Sequence, residues 1–161
     1  VQDEFRVGPD IVSNLLTEMK SMFDFIVVDA GQSMDYYAKA VFKISDLTLI
    51  VTLLTLPCLI NVKRILDTFS RMGYPAGDQV MILVNRFLKR SIISEEEAAK
   101  TLQHPIFMNL PNDFQNTMGA INNGRPLTFQ SPRAEITESF RELATRISGA
   151  GSKKKGILSW R

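Results

Sequence analysis

Four short apolar runs constrain this chain more than anything else in it: "FIVVD" at 25–29, "DLTLIVTLL" at 46–54, "QVMILVN" at 79–85 and "IFMNL" at 106–110. An uninterrupted Val/Ile/Leu run of this length fits a strand covered on both faces, which is how strands of a parallel sheet read. Between the runs the period changes to that of a helix. Ile11, Leu15, Met19 and Met22 recur at helical spacing after Pro9, a residue suited to a first turn. Residues 33–44 predict a helix with Met34, Tyr37, Ala38, Val41 and Phe42 inward. Pro57 opens another, with Val62, Ile65, Leu66 and Phe69 as its stripe and Gly73 placed to end it. Ser94 with Glu97 three residues on has the capping-box form, before a short helix to about Gln103. Asp113 caps a helix carrying Phe114, Met118 and Ile121 and closed by Asn123-Gly124. Ser131-Pro132 starts the last, with Ile136, Phe140, Leu143, Ala144 and Ile147 in register.

Strands alternating with helices of crossover length predict right-handed βαβ units: an α/β fold, a parallel sheet with helices on both faces. The chain has 161 residues, 45% hydrophobic and 22% charged, which suits one globular domain over 1–148 followed by a tail at 149–161. A net charge of +2 gives no general grip on nucleic acid, and no such partner is expected. No apolar run approaches the roughly 18 residues of a membrane span, and the start has no basic segment leading into an apolar one. One cysteine, Cys58, rules out an internal disulfide, and one histidine, His104, sits at a helix-to-strand turn as a structural residue. A cytoplasmic protein is expected.

Ligands bind open parallel sheets at the carboxyl ends of the strands, so the strand tips matter most. Three tips are polar or turn-forming: Asp29, Asn85, and Pro111 with Asp113 just beyond. An aspartate there can hold magnesium, directly or through water, and an asparagine presents the donor and acceptor that match a purine edge. Each also has a plain structural reading. Asp29 can bond the amides of its own turn, Asn85 can be a turn residue, and Asp113 already has work as a helix cap. A phosphate site would need glycines leading into a lysine, as in G-x-x-x-x-G-K-[ST]. None of the nine glycines is followed by lysine, and no G-x-G-x-x-G occurs.

Taken in order, "FDFIVVDAGQS", "SDLTLIVTLLTLPCLINVKRILDTFSRMGYP", "VMILVNRFLKRSIIS" and "LPNDFQNTMGAINNGRPL" resemble the carboxyl-terminal two-thirds of the MinD/ParA-type deviant-Walker ATPases. The resemblance covers about residues 10–148. "VNR", the "PNDF…AINNGRPL" stretch and "SPRAEITESFRELA" lean towards the CpaE/TadZ pilus-assembly and polar-localisation proteins within that group. The resemblance implies ATP and Mg2+ as ligands and a face-to-face homodimer. Asp29 matches the switch II aspartate that positions magnesium through water, Asn85 the asparagine that reads adenine, and Pro111 and Asp113 the segment lining the base. Two departures stand out. Gly31 occupies the position of the usual "DxP" proline, and the P-loop unit with its signature lysine is missing. The chain is therefore expected to be a piece of a longer protein that localises or assembles a type IV pilus or secretion apparatus, peripheral at the inner membrane or cell pole. A non-catalytic scaffold of the same fold and a ParA-like partitioning ATPase are the alternatives.

After Gly149-Ala150-Gly151-Ser152 comes "KKKGILSWR". Lys153, Lys154 and Lys155 could meet anionic head groups while Ile157, Leu158 and Trp160 enter the acyl boundary; a solvated tail is the other reading. Removing 153–161 is expected to lower co-sedimentation with anionic liposomes; unchanged pelleting would remove the anchor.

Overall fold

The computed structural model describes residues 8–149, so the membrane-anchor residues Lys153, Lys154, Lys155, Ile157, Leu158 and Trp160 lie outside the described residues. The elements run α1 (Pro9–Met22), α2 (Tyr36–Ile44), β1 (Thr48–Thr52), α3 (Leu56–Met72), β2 (Val80–Phe87), α4 (Glu95–Leu102), β3 (Ile106–Pro111), α5 (Phe114–Asn122), α6 (Leu127–Gln130) and α7 (Glu135–Ser148), with a 3-10 turn before β2. The strands form one parallel three-stranded sheet in the order β1-β2-β3. The α/β architecture expected from the sequence is therefore present.

The residues group into two compact units. One combines the chain up to Leu49 with Arg64–Met81; the other combines Ile50–Lys63 with the chain from Ile82 onward. In the first, α1 packs on α2. Lys20 ties the two together through Asp46 at 2.9 Å and the Ile44 carbonyl at 2.6 Å. Phe42 meets the Phe69 ring edge-on at 5.0 Å between centroids. In the second unit the core is Leu83, Met108, Leu110, Ile136 and Leu143, closed by Phe107, Leu127, Ala134 and Ile147. Here α7 lies on β3, and Arg146 near its end donates to the Phe107 carbonyl at 3.2 Å while stacking over that ring.

Local signals in the sequence mark most of the boundaries. Gly73 and Gly124 take the left-handed conformation that ends α3 and α5, with φ of 75° and 59°. Gln103 does the same after α4 at φ 54°, though it is not glycine. Asp35 caps α2 by accepting from the amides of Tyr37 and Ala38, and the Ala38 amide above all holds its carboxyl below the ordinary value. Ser94 accepts from the Glu97 amide at 3.2 Å, and Glu97 accepts from the Ser94 amide and hydroxyl at 2.8 and 2.9 Å.

Several expectations are corrected. "FIVVD" is not a strand: residues 23–30 are without regular structure, and no backbone ladder joins them to the sheet. Its apolar content alone cannot make it a strand, because a strand exists only against a partner. Phe23, Phe25, Val27 and Val28 are exposed as a result, Val27 at 95%. Likewise β1 is an edge strand with alternating burial, so Leu49 and Val51 face outward and only one of its faces is covered. On α1, Ile11, Leu15 and Met22 are exposed, because the side turned to α2 lies nearer Val12, Leu16 and Met19. Tyr37, Phe114, Ile121, Phe140 and Ala144 are exposed as well, since helical period fixes a stripe but not whether a neighbour covers all of it. The segment 33–44 becomes helical only after the Asp35 cap. The last helix begins at Glu135, with the separate short α6 preceding Ser131-Pro132.

The Glu97 carboxyl lies below its ordinary value of 4.5, chiefly through the Ser94 amide and then the Ser94 hydroxyl. A carboxyl lowered by folding stabilises the protein above its unfolded value, and that contribution disappears as pH falls through the folded value. Glu97→Gln is expected to flatten the acid limb of a urea-midpoint-against-pH curve below about pH 4.5. An unchanged limb would show that this box is not titrating with folding.

Candidate functional site

The second unit brings three of the four tip residues to one end of β2 and β3. Parallel pairing matches Val84 to Asn109 and Phe87 to Pro111, so β2 advances three residues while β3 advances two. The extra residue makes a bulge at Asn85 and Arg86. Arg86 absorbs it with φ at 50°, in the left-handed region that a residue with a Cβ seldom adopts. An opposite offset between Ile82 and Leu83 compensates earlier in the pair. The strand thus continues past Asn85 to Phe87, rather than stopping at Asn85 as the sequence suggested.

The bulge fixes Asn85. Its Oδ1 accepts from the Arg86 amide at 2.8 Å, and its Nδ2 has no partner among the described residues. Asn85 is half-buried, with Ile82, Leu83 and Val84 wholly buried just before it. Pro111 is the last residue of β3, where its missing N–H costs nothing to the ladder. The next amide, of Asn112, returns to β2 by donating to the Phe87 carbonyl at 3.1 Å.

Asp113 begins a relay of polar contacts. One carboxylate oxygen accepts from the Asn116 amide at 3.1 Å and the other from Asn116 Nδ2 at 2.7 Å. Asn116 Oδ1 accepts from the Ser131 hydroxyl at 2.7 Å, and the Ser131 carbonyl accepts from the Thr137 hydroxyl at 2.7 Å. Thr137 is wholly buried. Asp113 therefore pins the start of α5 to the α6–α7 connection. Sequence reasoning found the cap but missed the relay, because Asn116, Ser131 and Thr137 carry no common spacing.

Asp29 belongs to the other unit and stands on its own terms. It is exposed, and its Oδ1 accepts from the Gly31 amide at 3.1 Å. Gly31 takes φ 65°, so the residue in the place of the expected proline turns the chain in a way proline cannot. The second carboxylate oxygen makes no bond within the described residues. No group of three His, Cys, Asp or Glu suited to a metal occurs among the described residues. Open recesses lie along α3 at Arg64 and Arg71 and along α7 at Glu138 and Glu142, and none of the four residues lines either one.

A parallel sheet with polar groups gathered at its strand ends is the arrangement of nucleotide-binding α/β proteins. Comparison with known proteins narrows that class. No family model matches the chain. The septum site-determining protein MinD of Thermotoga maritima is 23% identical over 150 residues, covering 90% of this chain and 54% of the relative. The crystal structure of a ParA family ATPase from Chlorobium tepidum superposes with a TM-score of 0.81 at 24% identity, covering 89% of this chain and 61% of that one. MinD from Pyrococcus horikoshii, complexed with Mg-ADP, gives 0.72 at 20% identity, over 91% and 60%. The fold is that of the MinD/ParA P-loop NTPases, and the sequence is related to MinD over nine-tenths of the chain. The chain spans about half the length of the curated relatives it matches.

Asp113→Ala is expected to cost about 1–2 kcal/mol, since it removes a helix cap and takes the acceptor from Asn116 Nδ2. Urea unfolding checks this, and a loss under a few tenths would show that the relay contributes no stability.

Proposed function

We propose that this chain is the base-reading and switch-bearing part of a MinD/ParA-type ATP switch. The relation to MinD across nine-tenths of the chain carries this reading. The strand end shared by β2 and β3, which carries Asn85, Pro111 and Asp113, supports it. In this reading Asn85 offers its free Nδ2 to the adenine edge, and Pro111 and Asp113 line the base. Asp29 would keep Oδ1 on its own turn, and its second oxygen would be the one to hold a water of magnesium. These residues fit a purine and a hydrated cation. They do not fit the phosphates, because no glycine-lysine loop exists in these 161 residues. Mg-ATP, when bound, would supply a γ-phosphate that the loop after Asp29 could sense.

ATP-dependent homodimerisation is the expected output, used to localise or assemble a type IV pilus or secretion apparatus as in CpaE/TadZ proteins. The "INNGRPL…SPRAEI" stretch favours that role over chromosome or plasmid partitioning. A second reading, a non-catalytic scaffold of the same fold, is favoured by one observation: Gly31 replaces the switch proline. The coding sequence upstream of Val1 separates the two. A K-G-G-x-G-K-[ST]-like loop there supports the switch, and a start codon at this position supports the scaffold.

The chain alone is expected to show no micromolar affinity for Mg-ATP by calorimetry. At millimolar concentration adenosine should move the amide resonances of Asn85, Asn112 and Asp113 more than guanosine does. Micromolar binding would mean a phosphate site of another kind, and equal response to both nucleosides would sink the base assignment.

A further inference from the structure

The turn that ends α5 places a reactive side chain beside an unhindered peptide nitrogen. The Gly124 amide donates to the Ile121 carbonyl at 3.0 Å and the Arg125 amide to the Ala120 carbonyl at 2.9 Å, the two bonds of a Schellman turn around a glycine at φ 59°. The residue before that glycine is the C-cap, Asn123, which is exposed and makes no side-chain hydrogen bond among the described residues. Of the asparagines in the sequence, only Asn123 precedes a glycine. A Cβ placed on Gly124 would meet nothing within 4 Å, so the peptide joining the two residues is open to water. The other asparagines are hindered. Each is followed by a residue with a Cβ, and the side chains of Asn85, Asn109 and Asn116 are also held by hydrogen bonds.

We propose that Asn123 is a site of spontaneous deamidation, gated by this turn. The Gly124 nitrogen, once hydroxide has taken its proton, attacks Asn123 Cγ. The N–Cγ bond forms, the Cγ–Nδ2 bond breaks, and Nδ2 leaves as ammonia, giving a succinimide ring. Water then opens the ring at either carbonyl and leaves aspartate or isoaspartate, with no oxidant or reductant consumed. Glycine favours the closure because no Cβ obstructs it. The folded turn opposes it twice. The attacking nitrogen is the donor to Ile121, and ψ at Asn123 is −2°, which keeps that nitrogen out of line with Cγ. Reaction therefore follows local opening of the α5 end. Either product weakens the turn. Isoaspartate adds a main-chain carbon between residues 123 and 124, and aspartate puts a negative charge at the carbonyl end of α5, where the helix dipole disfavours it. What loosens is the Arg125 bond and, through it, the entry to α6 with Leu127 on the core. The site does not depend on what the chain binds.

The test is storage of the full chain, folded and in urea, at mildly acidic and mildly alkaline pH, followed by peptide mapping with enzymatic methyl labelling of isoaspartate. Asn123 should convert ahead of every other asparagine, and faster at alkaline pH. In the folded chain its conversion should be roughly tenfold slower than in urea, because the turn must open first. Protein carrying isoaspartate should unfold at lower urea than fresh protein, with Asn123→Asp between the two. Asn123→Gln should abolish the labelling at this position while keeping the wild-type midpoint, which separates the chemistry from any loss of fold. Earlier conversion at another asparagine would overturn the proposal. So would an Asn123 that stays intact in the folded chain, or one that converts equally fast with and without urea.

Discussion

Burial of β2 on both faces is the constraint on which the rest depends. Ile82 and Val84 have no exposure and Leu83 only 2%, so neighbouring side chains pointing in opposite directions are equally enclosed. Each such side chain contributes on the order of 1.5–3 kcal/mol relative to exposure. β1 and β3 flank it on its two edges. No functional group can be tolerated there. Polar chemistry begins where this enclosure ends, at the bulge of Asn85 and Arg86.

The same end of the sheet is shaped by a second device of another kind. Hydrogen bonds from Asp113 through Asn116 and Ser131 to Thr137 replace apolar packing where the chain leaves β3. Three of these contacts are side chain to side chain or side chain to carbonyl at 2.7 Å, and they end on a hydroxyl fully removed from water. Such a network specifies one arrangement of α5 against the start of α7, because a partly satisfied version leaves buried polar atoms unpaired. A rigid corner beside Asn85 follows from it.

The sequence was most legible where a feature needs only local chemistry. Ser94 with Glu97, Asp113, Gly73 and Gly124 each do what their spacing announces, because a cap or a left-handed turn is satisfied within a few residues. Three of the four apolar runs are strands, although β1 alternates in burial and only β2 is enclosed on both faces. The fourth, Phe25–Asp29, shows the limit: its composition matches the others, and only an adjacent strand could make it one. The bulge was illegible because Asn-Arg has no turn signature, and its existence depends on the register of β3. The exposure of Ile11 and Leu15 was hidden because helical period gives a stripe but not which neighbour, if any, lies over it. Of the candidate site, the residue types and the gathering of Asn85, Pro111 and Asp113 at one rim were visible in sequence, but the register that pairs Phe87 with Pro111 was not.

Arg86 illustrates how a backbone can discipline a position that its surroundings leave alone. Its side chain is exposed and unpaired, which ordinarily marks a site where any residue will serve. Its φ of 50° says otherwise, since a left-handed backbone disfavours every residue with a Cβ and β-branched ones most of all. Tolerance to substitution here is set by the main chain alone. Glycine and asparagine would fit with relief, while valine or isoleucine would push the extra residue elsewhere along the pair. Variation at this surface position is therefore narrow for a reason that no map of contacts reveals.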